Sequence, residues 1–507
     1  MAFLGIDIGT SGTKTLLLSD AGKVLATAEF PHTLLAPKPG WTEQHPEEWY
    51  QAAAAATRAV LKEARAKPAD VRAIGLSGQM HGSVFLDAGG KVLRPALLWN
   101  DQRTAAQCAQ IEEKAGGRAA LIQMVSNPAL TGFTAPKILW LREHEPRNYE
   151  KCRQILLPKD YIRFRLTNEY ATEVSDASGT LLLNVKTRAW HRELIAALGI
   201  DFALLPRVGE SQQITGVLTA AAARDFGLGP GTPVVGGAGD QAAGAVGTGV
   251  VLPGLVSASM GTSGVIFAAS PGPQTDPEGR VHTMCHAIPN TWCVFGCMLS
   301  AGGSFQYLRN TLFAEQVAEL RKAGKDPDAL YPRMIAEAQS APAGVEDLFF
   351  LPYLTGERCP HPDPKARAGF IGLTPRHTRA HLLRAALEGI TFGMREQIMI
   401  FRQMGIPIAQ VRASGGGARS EFWRQLQADV YEAPVVTINV SEGAALGVAI
   451  LAAVGAGEFG SVPEACKAII RVQERSKPAR KAAALYERQY RKYAGLYPAL
   501  QEWFAAE

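Results

Sequence analysis

Apolar and polar positions at the start of the chain follow a pattern that returns halfway along it. Residues 4–18 place the turn Gly9-Thr10-Ser11-Gly12 between two apolar runs, and residues 256–267 repeat the pattern around Gly261-Thr262-Ser263-Gly264. Such runs on both sides of a Gly-rich turn predict two short strands, because glycine permits the positive φ angles that tight turns use. The chain therefore predicts two similar hairpins and an internal duplication.

The residues after the first hairpin predict the rest of one domain. A third strand is expected from Lys23 to Phe30, a helix from Pro46 to about Ala66, and a strand from Val71 to Ser77. This order resembles the ribonuclease-H-like domains of actin, Hsp70 chaperones and hexokinases. The predicted fold class is thus α/β, with two ribonuclease-H-like domains and a cleft between them.

The second half of the chain alternates predicted helices and strands after its own hairpin. Helices are expected at 379–404, 419–431 and 442–454, with strands at 410–413 and 435–438. Residues 229–246 predict a strand, then several glycines, then a helix of small residues. The boundary between the two domains is expected here. The predicted domains are residues 1–247 and 248–507.

Composition excludes several classes of protein. The 507 residues are 47% hydrophobic and 20% charged, which is ordinary globular composition, and the net charge of +5 is scattered, so nucleic acid is not an expected partner. Asp7 precedes any apolar run that could serve as a signal peptide, and the longest apolar run, 444–457, is shorter than a membrane span. A cytoplasmic protein without membrane segments is expected.

The seven cysteines do not predict disulfide bonds, because they are odd in number and thinly spread. A metal site is conceivable where several potential ligands are close in sequence: His282, Cys285, His286, Cys293 and Cys297. Their spacing fits no standard zinc pattern. Buried thiols are the preferred interpretation.

Two common nucleotide-binding motifs fail. No lysine that follows glycine is itself followed by Ser or Thr, which excludes the P-loop. Residues 237–242 match the dinucleotide fingerprint weakly, but no acidic residue lies between Asp240 and Asp276 to hold a ribose. A dehydrogenase is therefore only an alternative.

The two hairpins and two carboxylates instead favour phosphoryl transfer. The first turn offers backbone N–H groups, hydroxyls and the Lys14 cation for phosphates, and Asp7 supplies an acceptor for magnesium. Asp240 lies between a strand and a helix, where it is either a helix N-cap or a general base. With phosphate-binding turns nearby, the second reading predicts transfer of a phosphoryl group to a hydroxyl.

The chain resembles the FGGY carbohydrate kinases over nearly its whole length. Residues 132–144 fit the first motif of that family, and residues 368–373 with 381–388 fit the second. Residues 77–82, 98–103 and 157–161 are most similar to the xylulose kinases of the family, since glycerol kinases carry Arg-Glu where this chain has Met-His. Gln241 departs from the Asn found in many xylulose kinases.

The resemblance implies D-xylulose as the sugar, ATP and Mg²⁺ as the cofactors, and roles for named residues. Asp240 is the implied general base, and Asp7 the implied second catalytic residue and the magnesium ligand, partly through water. The implied sugar contacts are Gln79, Met80, His81, Trp99, Asp101, Asp240 and Gln241. The implied nucleotide contacts are Gly9, Thr10, Ser11, Lys14, Gly261, Thr262, Ser263, Gly415, Gly416 and Gly417.

Several alternatives stay open from the sequence. Ribulose, xylitol or glycerol could replace D-xylulose as the substrate, and a non-catalytic nucleotide switch of the actin or Hsp70 kind is a reading from another class. Dimers are common in the family, but no feature of this sequence demands a homodimer. Residues 358–368 form a Pro-rich loop whose contact with ligand the sequence does not decide.

Overall fold

The computed structural model describes residues 1–506. The strands are β1 Ala2–Ile8, β2 Gly12–Ser19, β3 Val24–Pro31, β4 Glu43–Gln44, β5 Val71–Gly78, β6 Val84–Leu86, β7 Ala96–Leu97, β8 Gln154–Leu156, β9 Ala171–Glu173, β10 Leu183–Asn184, β11 Ala189–Trp190, β12 Arg207–Gly209, β13 Ile214–Val217, β14 Pro233–Val235, β15 Ala238–Gly239, β16 Gly254–Met260, β17 Gly264–Ser270, β18 His282–Cys285, β19 Trp292–Met298, β20 Phe349–Leu351, β21 Gly369–Ile371, β22 Ile408–Gly415, β23 Val435–Ile438 and β24 Val472–Ser476.

The helices are α1 Pro46–Glu63, α2 Ala105–Lys114, α3 Arg118–Val125, α4 Thr134–His144, α5 Pro146–Lys151, α6 Pro158–Thr167, α7 Val174–Ala177, α8 Arg192–Ala197, α9 Ala220–Phe226, α10 Asp240–Gly247, α11 Gly302–Leu312, α12 Ala314–Lys322, α13 Tyr331–Gln339, α14 Arg379–Gln403, α15 Glu421–Tyr431, α16 Gly443–Gly455, α17 Val462–Ile469, α18 Arg480–Ala494 and α19 Leu496–Ala505.

Two sheets repeat one topology, which confirms the predicted hairpins and supports the duplication. The first sheet has the strand order β13-β14-β5-β1-β2-β3, in which β1 is antiparallel to β2 and parallel to β5. The second has the order β18-β19-β17-β16-β22-β23-β24, in which β16 is antiparallel to β17 and parallel to β22. In each sheet the hairpin strand therefore pairs with a parallel strand that comes much later in the chain.

The turn glycines serve close approach rather than left-handed backbone, so the predicted positive φ angles are wrong. Gly9, Gly12, Gly261 and Gly264 are all missing from the positive-φ residues among 1–506. A Cβ on Gly12 would instead lie 2.6 Å from the Phe30 carbonyl oxygen. Glycine is needed at position 12 because the neighbouring strand leaves no room for a side chain.

Contacts divide the chain into two units. The first comprises Met1–Leu252, Ala269–Cys293 and Val440–Arg471, and the second comprises Pro253–Ala268, Val294–Asn439 and Val472–Glu507. The first break lies close to the predicted boundary after residue 247. The return of 440–471 to the first unit had no signal in the sequence pattern.

Within the first unit, α16 packs against the sheet and against α10 through small residues. A Cβ on Gly75 would lie 1.9 Å from the Val448 carbonyl oxygen, and a Cβ on Gly247 would lie 1.9 Å from that of Gly443. No side chain fits at either glycine, because backbone meets backbone there. Helix α16 therefore sets the position of α10, the helix that begins at Asp240.

No helix among residues 1–506 combines the length and apolar character that a bilayer crossing needs.

Candidate active site

Asp7 and Asp240 lie at neighbouring ends of parallel strands. The register pairs Asp7 on β1 with Ser77 on β5, and Ser77 in turn with Ala238 on β15. Asp240 follows β15 and begins α10. Because the carboxyl ends of parallel strands meet at one edge of a sheet, the topology brings the two carboxylates together, separated by the width of one strand.

The surroundings raise the pKa of both carboxyl groups. Burial raises the pKa of Asp7 to about 6, and the Ser77 hydroxyl and the charge of Lys14 oppose only part of that rise. Burial, followed by the negative charge of Asp7, raises the pKa of Asp240 to about 7. Buried carboxyl groups with raised pKa values, one of them raised further by the charge of the other, are typical of a functional site.

The Asp7 carboxylate has the chemistry of a ligand for a hard cation. Its Oδ1 atom is buried outside hydrogen-bonding geometry to any group among residues 1–506, although the neighbouring Ser77 hydroxyl helps to lower the pKa of the carboxyl. A buried carboxylate oxygen without a partner is costly unless something else binds it. Mg²⁺ prefers oxygen ligands and commonly takes one or two carboxylates with several waters. The residues present therefore fit this ion.

The turn at 9–12 exposes Ser11 to solvent, and a backbone hydrogen bond closes the turn. Gly9 N–H donates to the Gly12 carbonyl at 2.9 Å, and Ser11 is exposed. Lys14, predicted to bind phosphates, forms an ion pair with Glu442 at the start of α16. Glu442 thus competes with a phosphate for the Lys14 ammonium group. The sequence pattern did not reveal this competitor.

The loop after β5 carries Met80 and His81 toward Asp240. Met80 is 5% exposed, and a Cβ on Gly239 would lie 2.9 Å from its Cγ, so the thioether chain packs against the residue before Asp240. His81 has a φ of +69°, which is uncommon for a residue with a side chain. Its Nδ1 lies 2.7 Å from the Gly179 carbonyl oxygen. Because a carbonyl only accepts, Nδ1 carries the proton in the neutral ring, and Nε2 is its acceptor nitrogen.

The backbone of His81 is held by the first family motif, a role that sequence reasoning missed. The hydroxyl of Thr134 and the ammonium group of Lys137 both donate to the His81 carbonyl, at 3.0 and 2.9 Å. The Phe133 ring contacts the imidazole edge-on, with 4.8 Å between centroids. In the sequence, the glycine-rich loop at 78–82 indicated a ligand contact at His81. Its support by residues 132–144 was not visible, because those residues are distant in sequence.

Three more residues were predicted to contact the sugar: Gln79, Trp99 and Gln241. Trp99 is 36% exposed, and its indole N–H donates to the Thr10 hydroxyl oxygen at 2.9 Å, whereas Gln79 is almost fully buried. The Gln241 amide nitrogen is 3.4 Å from Asp240 Oδ1. Gln241 and Met80 thus lie against Asp240 and its neighbour Gly239, whereas Gln79 and Trp99 are joined to the first turn through Thr10.

Asp101 is the exception among the predicted sugar contacts. Its side chain is fully buried, and its carboxylate accepts from Thr42 N–H at 2.7 Å and from the Arg103 guanidinium at 2.7–3.0 Å. Arg103 in turn stacks over Trp41, 3.7 Å from the ring centroid. Since these donors already occupy the carboxylate, the sugar contact of Asp101 stays a prediction, and the proposed sugar site does not use it.

A separate cavity of about 970 Å³ lies within the second unit. Of the predicted nucleotide contacts, Gly261, Thr262, Gly416 and Gly417 line it, whereas Ser263 and Gly415 do not. The lining residues that sequence reasoning missed include Gly302, Gln306, Tyr331, Phe422 and Trp423. This volume is sufficient for a drug-sized or nucleoside-sized ligand.

The cysteines and histidines near residue 290 have structural partners. His286 Nε2 is 3.0 Å from the Val250 carbonyl oxygen, and the Cys293 thiol donates to the Met284 carbonyl. Among residues 1–506 no three His, Cys, Asp or Glu side chains are grouped for a metal ion. Burial lowers the pKa of His286 to about 4.

Comparison with known proteins defines the class. The profile of the N-terminal domain of the FGGY family of carbohydrate kinases matches residues 2–247, and that of the C-terminal domain matches 256–456. The chain is 38% identical to a xylulose kinase of Bacillus subtilis over 97% of this chain and 96% of that protein, and 40% identical to one of Escherichia coli over 91% and 92%. A xyloylose kinase structure from Brucella ovis aligns with a TM-score of 0.89 at 35% identity, covering 99% of this chain and 100% of that one.

These matches identify an enzyme that transfers a phosphoryl group to a carbohydrate, with a sugar and a nucleotide as substrates. The chain belongs to the FGGY family of carbohydrate kinases. The predicted family and the α/β fold of two ribonuclease-H-like domains are confirmed. The roles of individual site residues stay predictions.

Proposed function

We propose that this kinase phosphorylates D-xylulose to D-xylulose 5-phosphate with ATP. The identity of 38–40% to xylulose kinases over more than 90% of the chain supports this sugar. The Met80-His81 loop, packed beside Asp240, supports the same choice, because it combines an apolar wall with an imidazole that can accept from a sugar hydroxyl.

The observation that carries the proposal is the placement of Asp240 at a strand end beside Asp7. Asp240 accepts the proton of the terminal sugar hydroxyl. The hydroxyl oxygen of the sugar bonds to the γ-phosphorus of ATP, and the bond between that phosphorus and the oxygen that leaves with ADP breaks. The raised pKa of Asp240, about 7, makes this carboxylate a better base than an ordinary Asp. In a loose phosphoryl transition state the proton leaves late, so orientation of the hydroxyl contributes more than basicity.

Nucleotide contacts are proposed on both hairpins. The turn at 9–12 offers backbone N–H groups and the exposed Ser11 hydroxyl to phosphates, and Lys14 adds a cation once it leaves Glu442. Bound Mg²⁺ would be held by Asp7, directly or through water, and would neutralise phosphate charge. The cavity in the second unit, with Gly416 and Gly417 in its wall, is proposed for the adenosine.

The test is ADP release with MgATP against D-xylulose, D-ribulose, L-ribulose, xylitol, glycerol, L-fuculose and D-gluconate. We expect the highest kcat/KM on D-xylulose, and we expect Asp240→Asn to lose about 10²–10⁴-fold in kcat while it still binds ATP. Asp20→Asn, at an exposed turn, is the matched control and should retain full turnover. A higher kcat/KM on another sugar would overturn the substrate, and normal turnover by Asp240→Asn would overturn the base.

A further inference from the structure

Five residues of the first unit form one continuous hydrogen-bonded chain between the phosphate turn and the sugar loop. The Trp49 indole N–H donates to Gln44 Oε1 at 3.0 Å, and Gln79 Nε2 donates to the same oxygen at 2.9 Å. Gln44 Nε2 donates to the backbone carbonyl of Thr10 at 2.7 Å. The Thr10 hydroxyl lies 3.2 Å from Gln79 Oε1 and accepts from the Trp99 indole at 2.9 Å.

Two groups determine the direction of these hydrogen bonds: the Trp49 indole N–H and the Thr10 backbone carbonyl. An indole N–H only donates and a backbone carbonyl only accepts, so Gln44 must turn its oxygen to Trp49 and its nitrogen to Thr10. Gln79 must then present its NH₂ group to the Gln44 oxygen and its own oxygen to Thr10. Because the Gln79 oxygen can only accept, the Thr10 hydroxyl donates its one proton to Gln79, while the Thr10 oxygen accepts the hydrogen bond from the Trp99 indole N–H.

This direction changes the role of Thr10. Phosphate oxygens are acceptors, and they need a donor from the protein. The single hydroxyl proton of Thr10 already lies between Thr10 and Gln79. The hydroxyl of Ser11, which is exposed one residue later, has no such commitment among residues 1–506 and is the better donor to a phosphate.

We propose that Gln44 is a positioning residue for the kinase reaction. Gln44 is fully buried, and it joins the turn at 9–12 to the loop at 79–81 while it directs the Thr10 hydroxyl proton to Gln79 and away from the nucleotide. Thr10 thereby orients Gln79 and Trp99 beside the sugar, and Ser11 and the backbone bind phosphate. The expected kinetic effect of this inference rests on the proposed function, whereas the hydrogen bonds between these five residues do not depend on it.

The kinetic test compares four single variants for kcat, KM of D-xylulose and KM of MgATP. We expect Thr10→Val and Gln44→Met each to raise the KM of D-xylulose by about 5-fold or more, the equivalent of one hydrogen bond, with the KM of MgATP within about 2-fold of wild type. Thr10→Ser, which keeps the hydroxyl, should restore the KM of D-xylulose. Ser11→Ala should raise the KM of MgATP instead.

The double variant of Gln44→Met with Thr10→Val measures whether the two residues act through one chain. We expect it to be no worse than the poorer single variant, because either change breaks the same chain. Gln123→Leu, at an exposed position on α3, is the control for a lost glutamine. Multiplying effects in the double variant, or a rise in the KM of MgATP by Thr10→Val as large as that by Ser11→Ala, would overturn the proposal.

A measurement that needs no turnover separates this inference from the proposed function. Selective ¹⁵N labelling of tryptophan reports the indole N–H signals, assigned through Trp49→Phe and Trp99→Phe. Gln44→Met should shift the signals of both Trp49 and Trp99, although Gln44 has no hydrogen bond to Trp99, and leave the exposed Trp503 unchanged. An unshifted Trp99 signal would refute the chain whether or not the protein phosphorylates D-xylulose.

Discussion

The ammonium group of Lys137 lies 2.9 Å from the backbone carbonyl oxygen of His81. Lys137 is fully buried, and its second acceptor is the Gly132 carbonyl at 2.5 Å. Among residues 1–506 it has no carboxylate within ion-pair distance, and burial lowers its pKa to about 7. A buried ammonium group without an ion-pair partner is costly, and here it stabilises a loop residue at a φ of +69°.

Lys137→Met should weaken sugar binding more than nucleotide binding. Hydrogen bonds to a charged group contribute about 1.5–3 kcal/mol, so release of the His81 carbonyl is expected to lower kcat/KM for D-xylulose roughly 10- to 100-fold. Steady-state kinetics with each substrate varied in turn measure the effect. Lys62→Met, on the exposed end of α1, is the control. An unchanged kcat/KM for the sugar would show that Lys137 does not position His81.

Glu442→Gln should tighten the binding of MgATP. Lys14 and Glu442 are 32% and 23% exposed, and removal of the carboxylate charge leaves the Lys14 ammonium available to phosphate. A partly exposed pair of this kind contributes about 0.2–1 kcal/mol, so the KM of MgATP should fall by up to about 5-fold. The decrease should shrink at high salt. An increase in this KM would mean that Glu442 itself assists nucleotide binding.

Two glycines of α10 should respond oppositely to alanine. Gly247→Ala places a Cβ 1.9 Å from the Gly443 carbonyl oxygen, whereas Gly244→Ala meets no atom within 4 Å. We expect the first change to lower the free energy of unfolding by about 1–3 kcal/mol or more, and the second to raise it by about 0.5–1 kcal/mol. Denaturant titration of both variants provides the comparison. Equal effects would contradict the close packing of α10 on α16.

His286 should make the protein less stable in mild acid. Its pKa is lowered by burial from 6.5 to about 4, so the unfolded chain binds a proton that the folded chain refuses. The stability present above pH 6.5 is therefore lost as the pH falls toward 4, by roughly 3 kcal/mol for this one group.

The control for His286 is a side chain that does not titrate. His286→Gln keeps an amide that can donate toward the Val250 carbonyl, and it should flatten the pH dependence of the unfolding free energy between pH 6.5 and 4. The same steepness in the variant would assign the acid sensitivity to other groups.

Local patterns were sufficient for the elements, the duplication and the family. The hairpins around 9–12 and 261–264 and the strand at 435–438 are visible from short-range alternation and turn residues, which act over a few positions. Asp7 was visible because it lies just before a glycine-rich turn, and Asp240 because it lies between a strand and a helix. The reason given for the turn glycines was wrong, since room beside Phe30, and not φ, requires Gly12.

Only the tertiary structure decided which partners the site residues take from distant parts of the chain. Asp101 accepts from Thr42 N–H, Lys14 pairs with Glu442, and the His81 carbonyl accepts from Lys137. None of these pairings leaves a periodic signal, because a side chain's hydrogen bond depends on where folding places a second segment. The sequence by itself determined which strands and turns form and which chemistry they carry. The tertiary structure decided how these strands and turns meet. Helix α16 packs on the first sheet and on α10 through contacts that admit only glycine.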